Sequence, residues 1–188
     1  MTNREREAQA PMDVFDAVRT LLAVRSYQDT PVPDAVVRRI VEAGRLTGSG
    51  MNRQPWHFIV VRDRETLRKL AALRANINWA ASAPLGIALV FPVGSSLGEA
   101  YDEGRVTERL LTGAKLLGYG AGVAWFGEPP LQAEAKRILG VPEDRHARQI
   151  VMIGRATSTK DPRPTGPPRG RKPLSDLVSY ERWGRAKT

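Results

Sequence analysis

Four short apolar runs punctuate the chain: HFIVVRD (57–63), PLGIALVFPV (84–93), AGVAWFG (121–127) and RQIVMIGRA (148–156). Each is separated from the next by a stretch with helical spacing. That alternation predicts strands divided by helices, and so a mixed α/β sheet covered by helices. The helical stretches are RETLRKLAALRA (64–75), LGEAYDEGRVTERLLTGAKLLGYG (97–120) and PPLQAEAKRILG (129–140). In the first, Leu67, Leu70 and Leu73 share one side. The second ends at Gly118 and Gly120, and the third is opened by proline and closed by glycine.

Two more helices precede the first strand. MDVFDAVRTLLAV (12–24) places Val14, Ala17, Val18 and Leu21 on one face behind a capping Asp13. After the turn TPVPD, Asp34 caps AVVRRIVEAGRL. Residues 1–12 read as a tail, and 13–188 as a single domain, a size that suits the 188-residue chain. Within it, 157–173 is a Pro/Gly/Arg loop without hydrophobic periodicity, and Ser175 caps a last short helix, DLVSYERW, in a segment running to 188.

Composition removes several chemistries. There is no cysteine, hence no thiol nucleophile, disulfide or thiolate-bound metal, and the two histidines, His57 and His146, are too few for a His-rich metal site. No apolar run approaches the roughly 20 residues of a membrane span, and the charged start MTNREREAQAPMD has no apolar stretch behind it. The expectation is a cytoplasmic protein with no membrane partner. The net charge of +9 is spread among acids, and no aromatic residues interleave with the basic loop, so no nucleic-acid partner is expected.

The most informative stretch is GSGMNRQPWHF (48–58). Its glycines let backbone approach a ligand, and Asn52 and Gln54 each offer a donor and an acceptor. A flat heterocycle with alternating C=O and N–H groups, such as the pyrimidine edge of a flavin, needs such partners. An ordinary turn with Trp56 filling the core is the other reading. Arg25, at the end of the first helix, suits either the helix C-terminus or an anionic ligand. Lys160, Arg163, Arg169, Arg171 and Lys172 form either a phosphate clasp or a solvated linker. GYGAG (118–122) is not a dinucleotide fingerprint, because its glycines follow a helix and precede a strand. His57 reads as a packed or hydrogen-bonded strand residue.

Taken in order, RSYQDTPVPDAVVRRIVEAGRLTGSGMNRQPWHFIVVRD, ERLLTGAKLLGYGAGVAWFG, ILGVPEDRHARQIVMIGRA and RGRKPLSDLV resemble the nitroreductase family of flavoproteins over nearly the whole chain from residue 13. The resemblance implies an α+β fold with a central, mainly antiparallel sheet flanked by helices, dimeric through a long central interface helix. It implies FMN as cofactor, NADH or NADPH as co-substrate, and a ping-pong cycle delivering two electrons to a nitroaromatic, quinone or other conjugated acceptor. It assigns flavin contacts to Arg25, Ser26, Ser49, Met51, Asn52 and Gln54. Backbone at Phe126 and Gly127 would face flavin N5, and Arg169 and Arg171 would grip the phosphate. No catalytic side chain is implied, because the flavin carries the chemistry. Trp79, Tyr101 and Phe126 are candidates for the substrate-side wall. The chain departs from the family where Leu21, Leu22 and Ala23 replace an Arg-Arg-Ser run and where Gly48 replaces proline. These departures leave room for weaker FMN binding, a flavin-binding protein without turnover, or another flavin chemistry.

Overall fold

The structure, a computed structural model, describes residues 13–94, 97–158 and 172–185. Four strands form one antiparallel sheet in the order β1-β2-β4-β3: β1 His57–Val61, β2 Leu85–Pro92, β3 Gly120–Trp125 and β4 Arg145–Gly154. Five α-helices cover it: α1 Val14–Arg19, α2 Asp34–Arg45, α3 Arg64–Ala72, α4 Leu97–Leu116 and α5 Pro129–Leu139.

The sheet separates two apolar layers, because alternate side chains on each strand point to opposite faces. On one face Ala88, Ala124, Ile150 and Met152 meet Leu67 and Leu70 of α3 and Ala135 of α5. On the other, Leu85, Ile87, Leu89, Val151 and Ile153 meet Ile40 of α2 and Val106, Leu110 and Ala114 of α4. Strand β2 is apolar on both faces because both are covered.

Segment 23–28 is stitched along the sheet beyond α1. Ala23 makes a parallel bridge to Ala121, and Tyr27 an antiparallel one to Ala156. The sheet is thereby mixed, though mainly antiparallel, as expected. A Cβ on Gly122 would lie 2.2 Å from the Val24 carbonyl oxygen, so only glycine lets this segment pass so close.

Several local expectations fail for identifiable reasons. The first helix stops at Arg19 rather than running to residue 24, because the chain beyond Leu21 is drawn into that pairing. Of the apolar residues spaced along one face, only Ala17 is buried; Val14 and Val18 are 62% and 54% exposed. Arg25 is thus six residues past the helix and not at its C-terminus. Asp13 does cap α1, accepting from the Phe15 and Asp16 amides. Pro33, not Asp34, holds the cap position of α2. Strand β1 is a half-covered edge, with His57 exposed rather than packed. Helix α4 ends at Leu116, four residues early, and Gly120 already belongs to β3. A 3-10 stretch, Ala75–Ser82, was not foreseen. Near the C-terminus only a 3-10 turn, Leu174–Asp176, forms, and residues 177–185 are irregular instead of helical.

Candidate functional site

The loop between α2 and β1 is strained. Met51, Asn52 and Gln54 all have left-handed φ, at 50°, 54° and 49°. Such a conformation costs a non-glycine residue about 1–3 kcal/mol. Ser49 holds the loop together: its Oγ accepts from the Gln54 amide at 2.8 Å and its carbonyl accepts from the Asn52 amide at 3.0 Å. Gln54 Nε2 donates to the Asn52 carbonyl at 3.3 Å. Behind the loop, half-buried Trp56 packs on the α2/α4 layer, while Asn52, Gln54 and Met51 stand exposed in front. A Cβ at Gly48 would lie 3.0 Å from Arg105 Nη2. The Arg105 guanidinium, itself over the Tyr101 ring at 5.4 Å, lies beside the loop at this glycine.

Arg25 occupies a second corner. Its guanidinium lies over the Trp79 ring at 5.9 Å, and Trp79 tilts against Tyr27 at 6.4 Å. Tyr27 is buried, with its hydroxyl between the carbonyls of Val24 (2.6 Å) and Met152 (3.1 Å). Burial raises the pKa of that phenol. Ser26 is tied to Thr157, whose hydroxyl donates to Ser26 Oγ at 2.6 Å and whose amide donates to the Ser26 carbonyl at 3.1 Å. Leu22, where the family pattern carries a polar residue, is exposed.

The third region is the turn after β3. The Phe126 amide donates to the Arg148 carbonyl at 2.9 Å. Phe126 is fully buried, so its side chain belongs to the core and not to a substrate wall. A Cβ on Gly127 would fall 2.3 Å from the Trp125 indole. Strand β4 bulges here: Arg148 and Gln149 together oppose the single Leu89, between the pairs Ala88–Ile150 and Val90–Ala147.

A buried polar network missed by the sequence reading holds the bulge to α4. Arg148 pairs with Glu103 at 2.5 Å, and Gln149 Nε2 donates to Glu103 Oε1 (3.1 Å) and Thr107 Oγ1 (2.9 Å). The Thr107 hydroxyl donates to the Glu103 carbonyl at 2.7 Å. Burial pushes the Glu103 carboxyl above its usual range, against the pull of Arg148. The available signal was Glu99, Glu103 and Thr107 at four-residue spacing on the face of α4 that also carries Val106 and Leu110.

Among the described residues these regions are anchored on different faces of the sheet. The amide loop is anchored on the α2/α4 face of the sheet, and the Arg25–Trp79 corner on the α3/α5 face. Arg169 and Arg171, with Lys160 and Arg163, lie outside the described residues. Among the described residues no group of acidic residues and histidines could hold a metal, and no helix is long and apolar enough to cross a membrane. A groove of about 970 Å³ runs between α1 and α4, lined by Val14, Val18, Tyr101, Arg105, Gly113 and Leu116 among others.

Known proteins share this sequence and this architecture. Residues 22–92 match the model of the nitroreductase family. A protein of Archaeoglobus fulgidus, provisionally named NADH dehydrogenase/NAD(P)H nitroreductase, is 31% identical over 153 residues, covering 77% of this chain and 86% of its own length. One of the same provisional name from Methanothermobacter thermautotrophicus is 29% identical over 180 residues, covering 92% and 88%. The crystal structure of a provisionally named nitroreductase from Desulfovibrio desulfuricans, in complex with FMN, superposes with a TM-score of 0.74 at 24% identity, covering 92% of this chain and 98% of that one. With the ordered motifs, the mainly antiparallel sheet and a 31% identical relative of nearly matching extent, the chain belongs to the nitroreductase family.

Proposed function

We propose that this chain is an FMN-dependent oxidoreductase, acting in the cytoplasm as a homodimer that completes its flavin sites across the subunit boundary. When bound, FMN would accept a hydride from NADH or NADPH and pass two electrons, in a ping-pong cycle, to a nitroaromatic, quinone or other conjugated acceptor. The observation that carries this reading is the strained 49–54 loop. Three non-glycine residues in left-handed conformation are a cost that folding alone does not require. What the loop gains is an exposed edge of amide donors and acceptors, and that donor set fits the alternating edge of a flavin ring.

Each group then has a role. Asn52 and Gln54 bind and orient the ring, with Ser49 and Met51 shaping the loop. Arg25 brings positive charge toward the ring or the ribityl-phosphate chain, with Ser26 beside it. A preorganised cation there stabilises negative charge developing on the cofactor. Gly127, in the turn set by Phe126, offers its amide at the reactive edge, and Arg169 and Arg171 hold the phosphate. The exposed apolar residues Val14, Val18 and Tyr101 on the α1/α4 groove supply a surface for a second copy. The opposed placement of loop and Arg25 supports a site built from two chains.

The test is the purified protein. A yellow dimer that releases FMN on denaturation and oxidises NADH or NADPH with a quinone or nitroaromatic is expected. A colourless protein that takes up no added FMN defeats the reading. Bound FMN without NAD(P)H oxidation would instead identify a flavin carrier or sensor, the outcome favoured by Leu21-Leu22-Ala23 in place of the family's polar run.

A further inference from the structure

We propose that Glu103, acting through Arg148 at the β4 bulge, is a positioning residue for the 126–127 turn. This rests on the reading above, in which that turn meets the reactive edge of the flavin. The chain of contacts is short. The Glu103 carboxylate on α4 pairs with Arg148 and accepts from Gln149, the two residues of the bulge. The Arg148 carbonyl accepts the Phe126 amide at 2.9 Å, and Gln149 is the register partner of Trp125. The Trp125 indole, in turn, covers Gly127. One buried carboxylate therefore holds both side chains of the bulge whose backbone pairs with the end of β3 and the turn.

Two features argue against a purely structural role. A bulge leaves the ladder locally unpaired and re-aims side chains, and bulges concentrate next to functional sites. A buried ion pair is also a poor source of net stability, because the desolvation cost offsets most of the attraction. What the pair does supply is an ionic tether between α4 and the bulge residue whose carbonyl accepts the Phe126 amide.

The experiment compares FMN-loaded wild type, Glu103→Gln and Val32→Ala. The last empties a buried position of the α2/α4 layer, in a cluster that does not include Phe126, and loses stability there. Three quantities are read: the FMN dissociation constant, hydrogen exchange at the Phe126 amide, and the rate of flavin reduction by NADH or NADPH under argon. Glu103→Gln is expected to leave FMN affinity within about threefold, since the phosphate end is untouched. Phe126 exchange should accelerate, and reduction should slow, by roughly tenfold or more, the scale of a misplaced reacting group. Val32→Ala should lower the melting temperature and change neither. If Glu103→Gln matches wild type or Val32→Ala in exchange and reduction, the proposal is overturned while the flavin assignment stands. If Glu103→Gln does not fold, the double change Glu103→Met with Arg148→Met removes the pair without leaving a lone buried charge. The same slowed reduction is expected of it, and unchanged reduction overturns the proposal. Wild type that takes up no FMN overturns both readings.

Discussion

His146 is buried without hydrogen-bond partners among the described residues. It is 7% exposed and stacked on Phe91 with ring centroids 5.9 Å apart. Burial, reinforced by the charges of Arg148 and Lys136, lowers its pKa to about 4, so it is neutral at pH 7. The unfolded chain, with an ordinary histidine near 6.5, binds more protons between those two values. Stability therefore falls as pH drops from about 6.5 through 4, by up to about 3 kcal/mol. Replacing it with phenylalanine (His146→Phe) keeps the stacking and removes the titration. Urea melts at pH 7 and pH 4.5 should show a smaller difference for the variant than for wild type. An equal difference would place the pH sensitivity elsewhere. At this scale the sequence was partly legible. Asn52, Gln54 and Ser49 stood out as a group, but glycine, serine and asparagine are also ordinary turn residues, and only the resemblance to flavoproteins gave them a ligand to meet. The polar interior of α4 was not, because Glu103 becomes tolerable inside only once Arg148 arrives from a strand 45 residues away in sequence.

Elements were legible where hydrophobic period alone decides them, and illegible where a tertiary partner overrides it. β2, α3 and α5 lie within three residues of their expected spans because their apolar pattern is complete in itself. β4 begins three residues early, at Arg145, since the polar run Arg-His-Ala-Arg-Gln hides a strand in which Arg148 and Gln149 are matched by α4. α1 is short because the residues after it gain more from pairing with β3 than from another helical turn. Segment 23–28 depends on Gly122, which yields a prediction. Gly122→Ala places a methyl 2.2 Å from a backbone oxygen, against Val24. Overpacking of this kind costs about 1–3 kcal/mol, and here it also displaces Arg25 from Trp79. The variant should melt lower and bind FMN more weakly. A lower melting temperature with unchanged FMN affinity would argue that Arg25 does not reach the cofactor.

Among the described residues an apolar surface lies open around α1. Phe15 is 77% exposed, and Val14, Val18, Leu22 and Tyr101 are exposed with it, beside the charged Arg105, Glu108 and Arg109 of the α1/α4 groove. Periodicity placed Val14 and Val18 on one helical face, and their exposure is what the proposed contact with a second copy would cover. A single sequence has no means to distinguish an apolar residue facing its own core from one facing a copy of itself, since the same transfer free energy drives both.

Anchoring the amide loop and Arg25 on opposite faces of one sheet also has a genetic consequence. In a hybrid of one Asn52→Ala chain and one Arg25→Ala chain, a centre drawing its loop from one subunit and its arginine from the other would carry both lesions once and neither lesion once. Two inactive alleles expressed together would thus recover activity, approaching half of wild type per hybrid molecule, whereas centres confined to single chains would recover none. Co-expression with two affinity tags, followed by an assay of the doubly tagged species, decides between these outcomes.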